Sequence, residues 1–157
     1  MNYKGNISII NHFPKAIGLV LFGLGPKLTP CSGIKQLKEL FEQNSFWATN
    51  RSSRQIKSML WKSDVVISLW DEQKMIGFGR ATTDGVFRSV LWDIVINKEE
   101  QGKGLGRLIV DRLIDCPNIG NTEKIYLMTT NEVEFYTQIG FKQIKHQNLM
   151  LYEKNKN

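Results

Sequence analysis

The residues whose types and spacing can do chemistry are gathered in one short stretch, Gln101-Gly102-Lys103-Gly104-Leu105-Gly106-Arg107. It joins an apolar strand pattern to an apolar helical pattern. Three glycines at alternate positions remove side chains where the helix begins. Consecutive main-chain N–H groups are thereby exposed at the positive end of the helix dipole, an arrangement that suits a phosphate or pyrophosphate. Lys103 and Arg107 add positive charge nearby. The GxGxG spacing departs from the GxGxxG of dinucleotide folds, and no acidic residue about 20 positions on closes a second parallel strand. Nor is it GxxxxGK(S/T), which disfavours a nucleoside triphosphatase. A tight strand-to-helix turn with solvated lysines is the alternative.

The elements that must position this turn can be read from the hydrophobic period. Upstream, Val65 to Trp70 and Met75 to Thr82 form two strands about the polar turn Asp71-Glu72-Gln73-Lys74, and Val86 to Ile96 forms a third after Asp84-Gly85. The middle of the chain is therefore an antiparallel meander. Downstream, Leu105 to Ile114 has helical spacing, and Pro117-Asn118 and Gly120-Asn121 break it. Lys124 to Thr130 reads as a strand and Glu132 to Ile139 as a short helix ended by Gly140. Phe141 to Ile144 and Leu149 to Tyr152 suggest a last hairpin. Before the meander, Ile34-x-x-Leu37-x-x-Leu40-Phe41 predicts a helix with Ser32 as N-cap, and Ser52 or Ser53 can cap a second one. Ile7 to Ile10 reads as a short strand. The apolar run Ile17 to Phe22 reads as a buried strand, in preference to a secretory signal, because no small-x-small site follows it.

The chain has 157 residues and 41% hydrophobic and 23% charged side chains, which supports one domain over 1–157 with a packed core. Residues 1–30 read as an N-terminal extension with the first strand. No apolar run approaches the roughly 20 residues that span a bilayer, so no membrane partner is expected. The formal charge of +6 favours an anionic partner. The basic residues are dispersed, whereas a nucleic-acid binder needs a contiguous basic stripe, so nucleic acid is not expected. Cys31 and Cys116 are far apart, and His12 and His146 lack metal-ligand spacing, so neither a disulfide framework nor a metal site is expected. Neither cysteine is a plausible acyl-enzyme nucleophile.

Gln101 to Gly106 resembles the Q/R-x-x-G-x-G/A signature of the GCN5-related N-acetyltransferases, the acetyl-CoA-dependent GNAT superfamily. Glu134-Phe135-Tyr136-Thr137-Gln138-Ile139-Gly140-Phe141 resembles the family's later FYxxxGF segment, at about the right distance. Gly77 to Phe87, followed by Leu91-Trp92-Asp93-Ile94-Val95-Ile96, is similar to the plastid and cyanobacterial branch. That branch includes plant serotonin N-acetyltransferases and chloroplast protein acetyltransferases. The resemblance covers roughly Gln36 to Tyr152, and the first thirty residues match no pattern. Asn97-Lys98 departs from the proline often found there, which touches the turn's geometry and not its chemistry.

The resemblance implies a mixed α/β fold, with a mostly antiparallel twisted sheet flanked by helices and splayed at the acetyl-CoA site. It implies that N–H groups of Gly102, Lys103, Gly104, Leu105, Gly106 and Arg107, after Gln101, hold the coenzyme A diphosphate. It also implies a bulge in the strand ending at Ile96, with Ile94, Val95 and Ile96 lining the acetyl group and free amides near Ile94 and Val95 binding its oxygen. Tyr136 then becomes the candidate general acid for the departing thiolate. Its alternative is a packed aromatic beside Phe135. Asp93 interrupts an apolar strand, and a buried carboxylate is costly unless paired. It is the candidate base or amine-orienting group, the alternative being an Asp that bonds to the backbone at a bulge. Arg80 can contact the phosphates, pair with Asp93 or Asp84, or lie on a solvated face. Trp92, Phe87, Trp61 and Phe46 can wall an aromatic-amine pocket or belong to the core.

The implied activity is direct acetyl transfer in a ternary complex to a primary amine. The acceptor is a small arylalkylamine such as serotonin or a protein lysine or N-terminal amine. The alternative is a non-catalytic acyl-CoA-binding regulatory module. A homodimer is compatible with the sequence. The branch implies a plastid location (chloroplast stroma), or cytoplasm in a cyanobacterium.

Overall fold

The computed structural model describes residues 7–153. Five strands form one sheet in the order β1-β2-β3-β4-β5, with β1 Ile7–Asn11, β2 Val65–Asp71, β3 Lys74–Thr83, β4 Arg88–Ile96 and β5 Lys124–Leu127. The first three pairings are antiparallel and β4–β5 is parallel. A parallel neighbour requires a crossover, and α4 (Leu105–Ile114) with the single turn α5 (Pro117–Gly120) supplies it. Helices α1 (Ile17–Phe22), α2 (Gly33–Asn44) and α3 (Ser53–Trp61) cover one face. They bury Leu19, Leu37, Phe41, Ile56 and Leu60 against Val66, Trp70 and Phe78. The other face packs Ile67, Leu69 and Leu91 against Ile109, Val110 and Leu113 of α4. Alternate residues of β2 thus serve two cores, which is why its sequence is apolar from Val65 to Trp70 save for Ser68. The last helix is α6 (Val133–Gln138).

The mixed sheet, the two helices ahead of the meander and the helix after the glycines agree with the sequence reading, and α4 has the expected bounds. The α3 cap is Ser52. Its Oγ accepts from the Gln55 N–H, and the Gln55 side chain accepts from the Ser52 N–H, a reciprocal capping box. Ser32 starts α2 without a side-chain bond, in a left-handed conformation.

Three local expectations are corrected. Ile17 to Phe22 is a helix, not a strand: Ala16, Leu19 and Val20 are the buried positions, a spacing of three and four, and Gly23 at φ 62 ends the turn. A short apolar run carries both periods, and here only the helical one finds a partner surface. The strand from Lys124 ends at Leu127 instead of Thr130, because β4 supplies register partners only from Arg88 to Leu91. The segments Phe141 to Ile144 and Leu149 to Tyr152 form no hairpin. Leu149, Met150, Leu151 and Tyr152 are all more than three-quarters exposed, so their apolar character meets no core.

Candidate functional site

The glycine turn is built to leave its amides open. A single 3₁₀ turn, Lys98–Glu100, leads out of β4, with the Asn97 side chain accepting from the Glu99 N–H. Gln101 reaches back, its Nε2 donating to the Ile96 carbonyl at 3.1 Å, which ties the turn to the end of β4. Gly102 and Gly104 then take φ 75 and 80, a region open to glycine at little cost, and Gly104 is the N-cap of α4. Among the described residues the amides of Gly102, Lys103, Gly104, Leu105, Gly106 and Arg107 donate to no protein acceptor. The first amide used is that of Leu108, which bonds to the Gly104 carbonyl at 3.1 Å. A side chain at Gly102 would have met only open space. Six consecutive donors at the positive end of a helix fit a diphosphate. The two flanking cations each pair with a neighbouring acid at the surface: Lys103 Nζ lies 2.8 Å from Glu100 Oε2, and Arg107 Nε lies 3.6 Å from Asp111 Oδ2.

Beside the turn the sheet opens. Register between β4 and β5 runs from Arg88↔Lys124 to Leu91↔Leu127 and stops there, so Trp92 to Ile96 have no partner on that side. The bulge implied by the family resemblance is present. Pairing of β3 with β4 passes from Phe78↔Val95 to Arg80↔Trp92, so Asp93 and Ile94 together oppose Gly79. Asp93 sits at φ 51. A non-glycine residue held there costs roughly 1 kcal/mol.

The Asp93 side chain is 6% exposed and both its oxygens are engaged: Oδ2 accepts from Arg80 Nε at 2.6 Å, and Oδ1 accepts from Arg51 Nη1 at 3.2 Å. The Arg51 guanidinium also lies 5.1 Å from the Phe41 ring centre, and that of Arg80 lies 5.6 Å from the Trp92 ring. Of the readings open for Arg80, pairing with Asp93 is the one found. Asp84 behaves as a turn residue: its Oδ1 accepts from the N–H groups of Val86, Phe87 and Arg88, and the Arg88 N–H above all holds its carboxyl below the usual range.

Tyr136 lies in α6, half-buried between Phe135 (ring centres 4.9 Å apart) and Phe141 (5.9 Å). Phe135 in turn packs where the start of α4 meets the end of β4: a Cβ added at Gly106 would lie 3.2 Å from Phe135 Cζ and 3.9 Å from Ile96 Cγ1. Ile96, Gly106 and Phe135, far apart in sequence, thus meet at one corner, with Tyr136 adjacent. Burial, followed by the nearby Glu132 charge, pushes the Tyr136 phenol up to about 12, so it stays protonated at neutral pH. The aromatics considered as pocket walls do not converge as a set. Phe46, Trp61 and Phe87 are exposed, and Phe87 stands in the turn before β4, at the end of the strand away from Ile96. Trp92 is half-buried, its Nε1 donating to Thr82 Oγ1 at 2.8 Å.

A protein-family model described as "Acetyltransferase (GNAT) family" matches residues 34–141, which contain the open turn, the bulge and Tyr136. The chain belongs to the GNAT acetyltransferase family. Among curated relatives, the "Uncharacterized N-acetyltransferase ycf52" of Pyropia yezoensis is 34% identical over 96 residues, covering 58% of this chain and 55% of the relative. "Serotonin N-acetyltransferase 2, chloroplastic" of Oryza sativa subsp. japonica is 33% identical over 113 residues, covering 67% and 54%. The chain spans about half the length of these relatives. Among solved structures, a GNAT-family acetyltransferase of Streptococcus pneumoniae TIGR4 superposes with a TM-score of 0.71 at 16% identity, over 95% of this chain and 98% of that one. At that identity the likeness speaks for the GNAT fold alone. The family generally uses acetyl-CoA, and the open amides fit its diphosphate.

Two participants escaped the sequence reading. Arg51, in the α2–α3 connection, carries no local signal that it reaches β4. Gly79 does carry one: a glycine inside an apolar strand marks a bulge or a close approach. Here a Cβ would collide with Ile109 Cγ2 and lie 2.8 Å from Ile94 Cδ1.

Proposed function

We propose that this chain is an N-acetyltransferase that moves the acetyl group of acetyl-CoA to a primary amine by direct attack in a ternary complex. The observation that carries the reading is the run of unbonded amides from Gly102 to Arg107 at the N-terminus of α4. They hold the diphosphate, and the thioester arm lies in the gap between β4 and β5, where Trp92 to Ile96 lack partners. Main-chain donors among Ile94, Val95 and Ile96 stabilise the charge that develops on the acetyl oxygen, with no reorganisation at the moment of reaction. The amine nitrogen bonds to the carbonyl carbon, the C–S bond breaks, the nitrogen releases its surplus proton to water, and the thiolate takes a proton from the Tyr136 hydroxyl. The tyrosinate regains its proton from solvent.

The incoming ammonium must lose a proton before it attacks. Asp93 is a poor acceptor for it, because two guanidiniums already occupy its oxygens. Water is the acceptor in this scheme, and Asp93 stands outside the proton path. The serotonin N-acetyltransferase named above supports a small arylalkylamine as acceptor and a plastid location; a protein lysine or N-terminal amine is the alternative acceptor.

Acetyl-CoA at one hundred times its Kd stabilises a folded protein by about 2.7 kcal/mol. For a chain of this size that raises Tm by roughly 5–10 °C. NAD at equal concentration is expected to do little. A Tm unmoved by acetyl-CoA overturns the reading. A shift without acetylation of aromatic monoamines, lysine peptides or N-terminal peptides makes the chain an acyl-CoA-binding module.

A further inference from the structure

We propose that Arg51 and Arg80 are positioning residues that act through Asp93 to hold the β4 bulge, and with it the open main-chain amides, in the acyl-transfer geometry. This deepens the acetyltransferase reading and rests on it. The argument starts from the backbone. Asp93 adopts φ 51 inside a strand, a conformation that side-chain-bearing residues rarely take, so something must hold it there. From one face the holder is the ion cluster. Arg80 comes from β3 beside the bulge, and Arg51 comes from the α2–α3 connection. They bond to separate oxygens of one 6%-exposed carboxylate, with Arg80 Nη1 3.5 Å from Ser63 Oγ and Arg51 Nη1 3.7 Å from Met59 Sδ. From the opposite face the holder is steric. Gly79, facing the bulge, leaves a space that Ile94 and Ile109 fill. The extra residue of the bulge is thus pinned on both sides of the sheet.

What the pin protects is the register beyond it. Val95 packs with the core under α2 and Ile96 with the core under α4. Losing the extra residue slips β4 by one and exchanges those faces, since strand side chains alternate. The amides of the same segment, which have no β5 partner, would turn with them. Two cations for one anion, at a site this enclosed, is a costly arrangement for stability alone, because an apolar trio of similar volume can replace such a group without loss. The backbone geometry that the group holds at Asp93 accounts for its presence here.

The test compares Arg80→Ala, Arg51→Ala, Arg51→Lys and Asp93→Asn with the wild type, using acetyl-CoA, the acceptor found in the screen above, and amide hydrogen exchange. Wild-type acetyl-CoA binding and turnover are measured first; their absence sinks the acetyltransferase reading, whatever the variants do. Given a working enzyme, Arg80→Ala is expected to lower kcat by 10- to 100-fold, with KM for acetyl-CoA within about threefold. Exchange at Ile94 to Ile96 should rise about tenfold, while Ile109 to Leu113 in α4 stay protected. Arg51→Lys should recover most of what Arg51→Ala loses. Asp93→Asn, which keeps the shape and loses the charge, should lower kcat without altering the form of the pH–rate profile. A profile that loses a limb in Asp93→Asn makes Asp93 the base and overturns the proposal. So does a folded Arg80→Ala protein with kcat within twofold of wild type, or with unchanged exchange in β4. If Arg80→Ala does not fold, Arg51→Ala and Asp93→Asn decide it by the same criteria.

Discussion

Acidification should unlock the N-terminal layer through one buried imidazole. His12 follows β1 and is 9% exposed, with its N–H donating to the Val66 carbonyl at 2.9 Å. Its Nε2 lies 2.6 Å from Ser68 Oγ, and that same oxygen accepts from Trp70 Nε1 at 2.6 Å. With His12 neutral, the Ser68 hydroxyl gives its proton to Nε2 and takes one from the indole, so every partner is matched. A protonated His12 becomes a donor as well, and the Ser68 proton is left without an acceptor within that chain of bonds. Burial lowers the imidazole pKa from 6.5 to about 4. The sign follows. Above pH 6.5 neither the folded nor the unfolded chain holds the proton. Below it the unfolded chain binds one and the folded chain does not until about pH 4, so stability is lost as pH falls through this window. At about 1.4 kcal/mol per unit the difference amounts to roughly 3 kcal/mol at most. That corresponds to a Tm lowered by about 6–12 °C for a chain of this size. Denaturant titrations of wild type and His12→Gln at half-unit steps between pH 7 and 4 measure it. The two stability curves should converge on going down, since other groups titrate in both. Parallel curves across the window would refute the reasoning.

Tyr136→Phe should lower kcat by 10- to 100-fold and leave KM for acetyl-CoA nearly unchanged, read by a thiol-release assay; unchanged turnover removes Tyr136 as the acid. Because its phenol titrates near 12, no alkaline loss of rate assignable to Tyr136 should appear below about pH 11. Gly79→Ala should destabilise the fold by about 1–3 kcal/mol in urea titrations, since the added carbon collides with Ile109 and Ile94.

What the sequence disclosed and what it hid divide along a physical line. Local period and local breakers announced α2, α3, α4 and the meander, because each is decided by residues within one turn or one hairpin. Ile17 to Phe22 reads as a strand in the sequence because five apolar residues about Gly18 fit two periods, and only the docking of Leu19 and Val20 against α2 and α3 selects the helix. The apolar alternation after Phe141 suggested strands, yet those residues stay exposed, for strand propensity expresses itself only against a partner. Tyr136 was visible through a motif, while its raised pKa was not, since burial is a property of the assembled corner formed by Ile96, Gly106 and Phe135.

The same line separates the two places where this fold releases main-chain amides. At the turn the task falls to Gly102 and Gly104, whose positive φ needs no support, so the glycines themselves are the signal and the open turn is legible in the sequence. In β4 the task falls to Asp93, whose positive φ needs outside help. That help comes from Arg80, thirteen residues back, and Arg51, forty-two residues back. No local pattern can mark such a bond, and the sequence leaves Asp93 as a candidate base, an amine-orienting group or an Asp bonding to the backbone at a bulge. A strand that must pack two cores and still present its backbone to a ligand cannot use glycine at the bulge without loosening both. A side chain anchored by distant cations gives the unusual conformation and keeps the strand rigid. On this argument Asp93→Gly, which permits the bulge without enforcing it, should retain the fold and still lose turnover. Equal kcat in Asp93→Gly and wild type would show that backbone permission alone suffices at this position and that the arginines are dispensable to it.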